Sequence, residues 1–219
     1  MPPGRPWLER LAHDLRGPLS PIQTASWLLR DPALDPAQRE ELFAVLDRQV
    51  QRMGAMIDEF SDLLQIGDRL ADDRREAVDL ELLVHDSVAG LGTAPPVVEF
   101  HEGTRGLALE GDARRLAQLF DLLLGLRLSR RDPSPVRASI ERREGGLRMT
   151  CTVPCPDAPE SLASALLQAP HPDPPDEALG LGLLIAGAIA RSHGGGLSAR
   201  AGNDGNGLEI ELALPLAAT

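Results

Sequence analysis

Two runs of apolar residues at helical spacing, separated by a proline-marked break, govern what the first third of this 219-residue chain can fold into. Leu8, Leu11, Leu15, Leu19, Ile22 and Leu29 recur at three, four or seven residues and mark one face of a helix from about Pro6 to Leu29. Asp31, Pro32, Asp35 and Pro36 then punctuate the chain. Asp35 suits an N-cap, with Pro36 at the first helical position. Leu42, Leu46, Gln49, Met53, Met56, Phe60 and Leu63 mark a second helix, which Gly67 is placed to end. Two such helices make an αα-hairpin. Each carries a narrow apolar seam near the 3.5-residue period, which a lone hairpin leaves partly wet. Pairing two hairpins into a four-helix bundle buries it, so a homodimer is expected.

Beyond the hairpin the texture changes. Residues 68 to 77 are charged and read as a linker, dividing the chain into 1–67, 68–77 and 78–219. Val78 to Leu91 reads as a helix, Val97 to His101 and Leu107 to Glu110 as strands, and Asp112 to Ser129 as a strongly apolar helix. Val136 to Arg142 and Leu147 to Val153 pair around a Glu144-Gly145-Gly146 turn, and a Pro-rich stretch covers Pro154 to Pro175. Leu183 to Ser192 reads as a helix, with Leu197 to Ala201 and Leu208 to Leu214 as a closing hairpin. The fold class expected is α+β: a helical hairpin followed by one sheet covered by helices.

Composition removes several functions. A net charge of -11 opposes non-specific nucleic-acid binding and an anionic membrane surface. No apolar run reaches the roughly 18 to 20 residues of a membrane span, and Pro2, Pro3, Gly4 and Arg5 do not resemble a signal peptide, so a cytoplasmic protein is expected. Cys151 and Cys155 lack further short-spaced His or Cys ligands and read as small apolar fillers, with no metal site.

The segment richest in chemistry is Leu11-Ala12-His13-Asp14-Leu15-Arg16-Gly17-Pro18-Leu19-Ser20-Pro21-Ile22. In a continuous helix Pro18 cannot donate to the Asp14 carbonyl, nor Pro21 to that of Gly17, and Gly17 adds flexibility. Each interior Pro costs about 3 kcal/mol, so a kink just after His13 is expected. His13 lies off the apolar seam. Its unprotonated nitrogen is a competent phosphoryl acceptor near neutral pH. Asp14 could take the proton or orient the ring, and Arg16 could balance charge on an incoming phosphoryl group.

This segment resembles the H-box of the histidine-kinase family, a His and an acidic residue with a Pro five positions after the His. The resemblance extends through Val78-Asp79-Leu80-Glu81-Leu82-Leu83, Gly111 to Leu119, Gly180-Leu181-Gly182-Leu183 and His193-Gly194-Gly195. It implies a dimerisation and phosphoacceptor hairpin followed by an ATP-binding domain. The family's two metal-holding Asn, placed from Arg115 and Gln118, fall on Leu122 and Leu126, and isobutyl groups cannot ligate a hard cation. The adenine-binding Asp and its two following glycines fall on Cys155, Asp157 and Pro159, with Asp157 able to stand in only by a shifted register. Residues 163 to 179, in the lid position, hold no Lys or Arg. Gly180 and Gly182 alone remain of the phosphate-cradling loop, a weak remnant that close strand–helix packing explains better.

A kept phosphoacceptor beside a lost nucleotide site implies a histidine phosphotransferase exchanging a phosphoryl group between His13 and an aspartate of a response-regulator receiver domain. On that reading the chain carries no cofactor of its own, ATP is not used, and Mg²⁺ comes from the receiver. The alternatives are an ATP-dependent sensor kinase with divergent ligands and a non-catalytic docking regulator of a receiver or kinase. His85, His101 and His171 are assigned no role, and His193 reads as a loop residue.

Overall fold

A computed structural model describes residues 13–68, 75–92, 95–132, 134–156, 160–175, 178–202 and 207–217. It divides into two compact units, residues 1–61 with 177–179, and residues 62–176 with 180–219.

The first unit is the helical hairpin. His13 and Asp14 are helical, residues 15–18 form a turn, and helix α1 spans Leu19–Leu28. A helix continuous through Pro21 is therefore not formed. Leu8, Leu11 and the earlier part of that expectation lie outside the described residues. In the break, Arg16 N–H donates to the His13 carbonyl at 3.0 Å, Gly17 to Asp14 at 3.1 Å and Leu19 to Arg16 at 3.1 Å. These are tight one-to-four bonds in place of the α-helical ladder. Pro18 takes the N-cap position and Pro21 lies in the first turn of α1. Backbone N–H groups there have no intrahelical partner in any helix. Neither proline costs α1 a bond, and the expected penalty for two interior prolines does not arise.

Helix α2 spans Pro36–Asp68, so its last turns enter the second unit. Asp35 caps it as the spacing predicts: its carboxylate accepts the Gln38 N–H at 2.8 Å, and Gln38 Oε1 accepts the Asp35 N–H at 3.3 Å. This reciprocal pair is a capping box.

In the second unit, β1 (Glu76–Asp79) pairs antiparallel with β3 (Ala108–Gly111). Helix α3 (Leu80–Gly90) therefore starts two residues after Val78, because Val78 is held in strand pairing with Leu109 and Asp79 caps the helix through the Leu82 N–H. Strand β2 is Val97–Phe100, and helix α4 spans Ala113–Leu124 with Asp112 as its cap. The helix stops five residues before Ser129. A Cβ on Gly125 would lie 2.8 Å from a Leu91 methyl, so α3 comes close where α4 ends. Strands β4 (Arg137–Arg143) and β5 (Gly146–Pro154) follow, then helix α5 (Glu160–Leu166) within the Pro-rich stretch. Helix α6 (Gly182–Ser192) and strands β6 (Gly196–Ala201) and β7 (Gly207–Pro215) complete the chain.

The larger sheet runs β2-β4-β5-β7-β6, with only β2–β4 parallel. Ala138, Cys151 and Ile210 align across three strands, as do Ile140, Met149 and Leu212, and all six are buried. The alternate residues carry charge: Arg148 lies 3.5 Å from Glu211, and Arg200 donates to Glu209 at 2.8 Å. That period-2 split gives the sheet one core face and one solvated face. Helix α4 packs between α3 and α6, and α6 lies against β6 and β7. Among the described residues no helix is long and apolar enough to cross a membrane.

Candidate functional site

His13 and Asp14 are helical and immediately precede the break, and the His13 side chain is 85% exposed. Nδ1 lies 3.3 Å from Oδ1 of Asp14. With the proton on Nδ1, that contact is a donation to the carboxylate and leaves Nε2 bare and turned to solvent as the nucleophile. Arg16 is exposed in the turn, Gly17 is exposed beside it, and Pro18 is buried. The imidazole thus has a carboxylate within reach of Nδ1, with Arg16 and the turn following in sequence.

The positions aligned with nucleotide ligands carry other chemistry. Leu122 is half-buried on α4, while Leu126 lies beyond the end of that helix, so the two do not share a helical face. Gly182 opens α6, and a Cβ there would sit 3.6 Å from a Leu122 methyl, an ordinary contact. Gly180 is different. Its φ is +71°, and a Cβ would press to 2.8 Å against the His171 backbone N. The His171 N–H donates to the Gly180 carbonyl at 2.9 Å, tying the two loop residues together. Cys155 is buried, with Sγ 3.9 Å from the Leu128 carbonyl, and burial pushes its thiol pKa up. Asp157 and Pro159 lie outside the described residues. On the alignment given by the resemblance, two isobutyl groups and a thiol whose pKa burial raises occupy the positions of the hard-cation and adenine ligands. Among the described residues no group of three His, Cys, Asp or Glu is placed to hold a metal.

Residues 7–69 match the His Kinase A (phospho-acceptor) domain. The nitrogen regulation protein NtrY of Azorhizobium caulinodans is 27% identical over 216 residues, covering 94% of this chain and 28% of that protein. Residues 7–69 thus match a phospho-acceptor domain, and the chain is similar to histidine kinases over most of its length. Solved kinases share its fold. Acinetobacter baumannii histidine kinase AdeS superposes with a TM-score of 0.70 at 18% identity, over 94% of this chain and 98% of that one. Histidine kinase ThkA, solved in complex with response regulator protein TrrA, gives 0.69 at 17% identity, over 96% and 61%. The hairpin followed by an α/β domain is the architecture of these kinases, although the chain spans under a third of NtrY.

Three features escaped the sequence reading. Phe43, Val50, Ile57 and Leu64 fall seven apart on α2 and are between 47% and 60% exposed. Their heptad period was readable, but the neighbouring seam drew the assignment. Asp62 is gripped by Arg115, whose guanidinium donates at 3.2 Å, and by the Gln118 amide at 2.6 Å. Arg115 also donates to Gln118 Oε1 at 2.7 Å, closing a triangle. His193 lies in the turn after α6, as its C-cap, but it is buried, and its Nε2 accepts the Asp112 N–H at 3.2 Å.

Proposed function

We propose that this chain is of the histidine kinase family and works as a histidine phosphotransferase, exchanging a phosphoryl group between His13 and an aspartate of a response-regulator receiver domain. The observation that carries the reading is the exposed His13 imidazole with Nδ1 held by Asp14. Nε2 attacks the phosphorus of the receiver's aspartyl phosphate. The N–P bond forms as the P–O bond to the carboxylate breaks, and the Nδ1 proton moves toward Asp14, limiting charge build-up on the ring. On this reading Arg16 balances charge on the phosphoryl oxygens. Positioning supplies most of the rate in such transfers, so the chain needs no nucleotide. Mg²⁺ belongs to the receiver's acidic pocket on this reading.

The active form is a homodimer, acting in the cytoplasm. The heptad stripe of Phe43, Val50, Ile57 and Leu64 supports the dimer, since it offers a second copy a continuous apolar seam. Leu122, Leu126 and Cys155 support a pocket that no longer handles ATP. A second reading, an ATP-dependent sensor kinase, is favoured by the kinases that share the fold.

Incubation with a phosphorylated receiver tests the proposal. Acid-labile, base-stable phosphate is expected on the chain and is expected to vanish in His13→Ala. Micromolar binding of Mg-ATP, with label transferred from its γ-phosphate to His13, would establish the second reading instead.

A further inference from the structure

Strand β2 is an edge of the five-stranded sheet, and α3 is an outer member of the helix layer. Between them opens a groove of about 810 Å³, lined by Leu82, Val84, Val88, Pro96, Val98 and Phe100, with Asp79, Glu81 and His85 at its polar margin. Leu82 is 61% exposed there, and Phe100 is also exposed. The backbone beside the groove is open in a defined register. Val97 donates to the Val136 carbonyl at 3.0 Å and His101 to that of Ile140 at 2.9 Å, so the odd residues of β2 face β4. In a parallel pair this leaves the N–H and C=O of Val98 and Phe100 turned to the outer edge. An apolar trough thus runs beside an unpaired strand edge, the arrangement used in recognition by strand addition.

The charge around it selects the occupant. Glu81, Asp86, Glu99 and Glu102 lie on or next to the groove, no Arg lines it, and no ion pair to an Arg is formed by these four among the described residues. Asp79 is spent on capping α3. We propose that the β2 edge docks an extended segment of a partner protein in which apolar residues alternate with Arg or Lys. Its backbone bonds to Val98 and Phe100. Its apolar side chains enter the groove over Leu82, Val88 and Phe100, and its basic ones, on the opposite face, meet Glu99. The surface belongs to the second unit alone and is independent of the chemistry at His13.

The test uses the full chain and two fluorescent peptides of about six residues, the usual strand length, one alternating Val with Arg and one alternating Val with Glu. Val98→Pro removes an outward N–H and spares the bonds to β4, as edge positions tolerate. Leu82→Arg places a repelling charge at an exposed groove residue without touching the core. The expected result is saturable binding of the Arg peptide below about 1 mM. Each variant should weaken it about tenfold or more, with unchanged circular dichroism and little binding of the Glu peptide. If Val98→Pro perturbs the fold, Leu82→Arg decides alone. Equal binding to parent and variants, equal binding of both peptides, or no saturable binding overturns the proposal. A change in the oligomeric state of the peptide-free chain on Leu82→Arg also overturns it, since the occupant is then a second copy.

Discussion

Gly111 and His193 are in direct contact across 82 positions of sequence, so close that a Cβ on Gly111 would lie 2.5 Å from the imidazole Nε2. The ring is wedged between the end of β3 and the end of α6. Nε2 accepts the Asp112 N–H at 3.2 Å, and Nδ1 lies 2.8 Å from the Ile189 carbonyl. It therefore ties the cap of α4 to the last turn of α6. Gly111→Ala forces the ring or the strand to move, with Leu116 a further 3.1 Å contact that cannot yield freely. The expected loss is about 1–3 kcal/mol, the usual cost of overpacking. His193→Ala should cost a similar amount by leaving the buried Asp112 N–H without its acceptor. The double variant should lose less than the sum, because the alanine vacates the space the new methyl needs. Urea unfolding of the four proteins measures that coupling.

Much of the architecture was legible in local chemistry. Asp35 with Pro36, and the alternation along β5 and β7, declare a helix start and strands without outside help. What was not legible depends on distant partners. Val78 looks helical until Leu109 claims it for a strand, and α4 reads through to Ser129 until Leu91 meets Gly125. His193 carries no local sign of burial, since Gly111 is what makes room for it. At the candidate site the His13 segment was readable because its polar pattern is contiguous. The hydrogen bond of His171 to Gly180 was not, because it joins two loops nine residues apart.

The two prolines after His13 should be unequal in their consequences. Pro21 sits in the first turn of α1, where its missing donor costs nothing, so Pro21→Ala should leave helix content unchanged and shift stability by no more than about 0.5 kcal/mol. Pro18 holds the break itself. Pro18→Ala supplies the donor that lets the helix run through, and should raise helicity by circular dichroism while slowing phosphoryl transfer to His13. Equal effects on helicity from the two substitutions would mean that the turn at residues 15–18 is held by something other than Pro18.

The exposed stripe on α2 makes a separate prediction for assembly. Val50→Asp and Ile57→Asp each place a carboxylate at the middle of the seam proposed to meet a second copy. A desolvated, unpaired charge cannot be carried there. Both variants should elute as monomers in size-exclusion chromatography with light scattering, while the parent elutes as a dimer. Because both side chains face solvent within one chain, the monomer's own fold should survive, which helix content by circular dichroism checks.

Alkaline pH gives an unusually clean view of the core. The chain has no Tyr, and its sequence contains no Lys, so between the ordinary thiol pKa and the Arg range only cysteines titrate among its side chains. Burial pushes Cys151 from 9.0 up to about 12, and it also raises Cys155. The folded state therefore keeps a proton that the unfolded chain gives up. Stability from this source is fully present below pH 9.0 and is lost as pH rises toward about 12. Each buried thiol held fully protonated contributes a slope of about -1.4 kcal/mol per pH unit within that window. Urea midpoints measured across it should fall steeply in the parent. Cys151→Ala should begin lower, from the small cavity it leaves, and then fall more gently. An equally steep decline in that variant would show that Cys151 ionises in the folded state and that the centre of the sheet admits water.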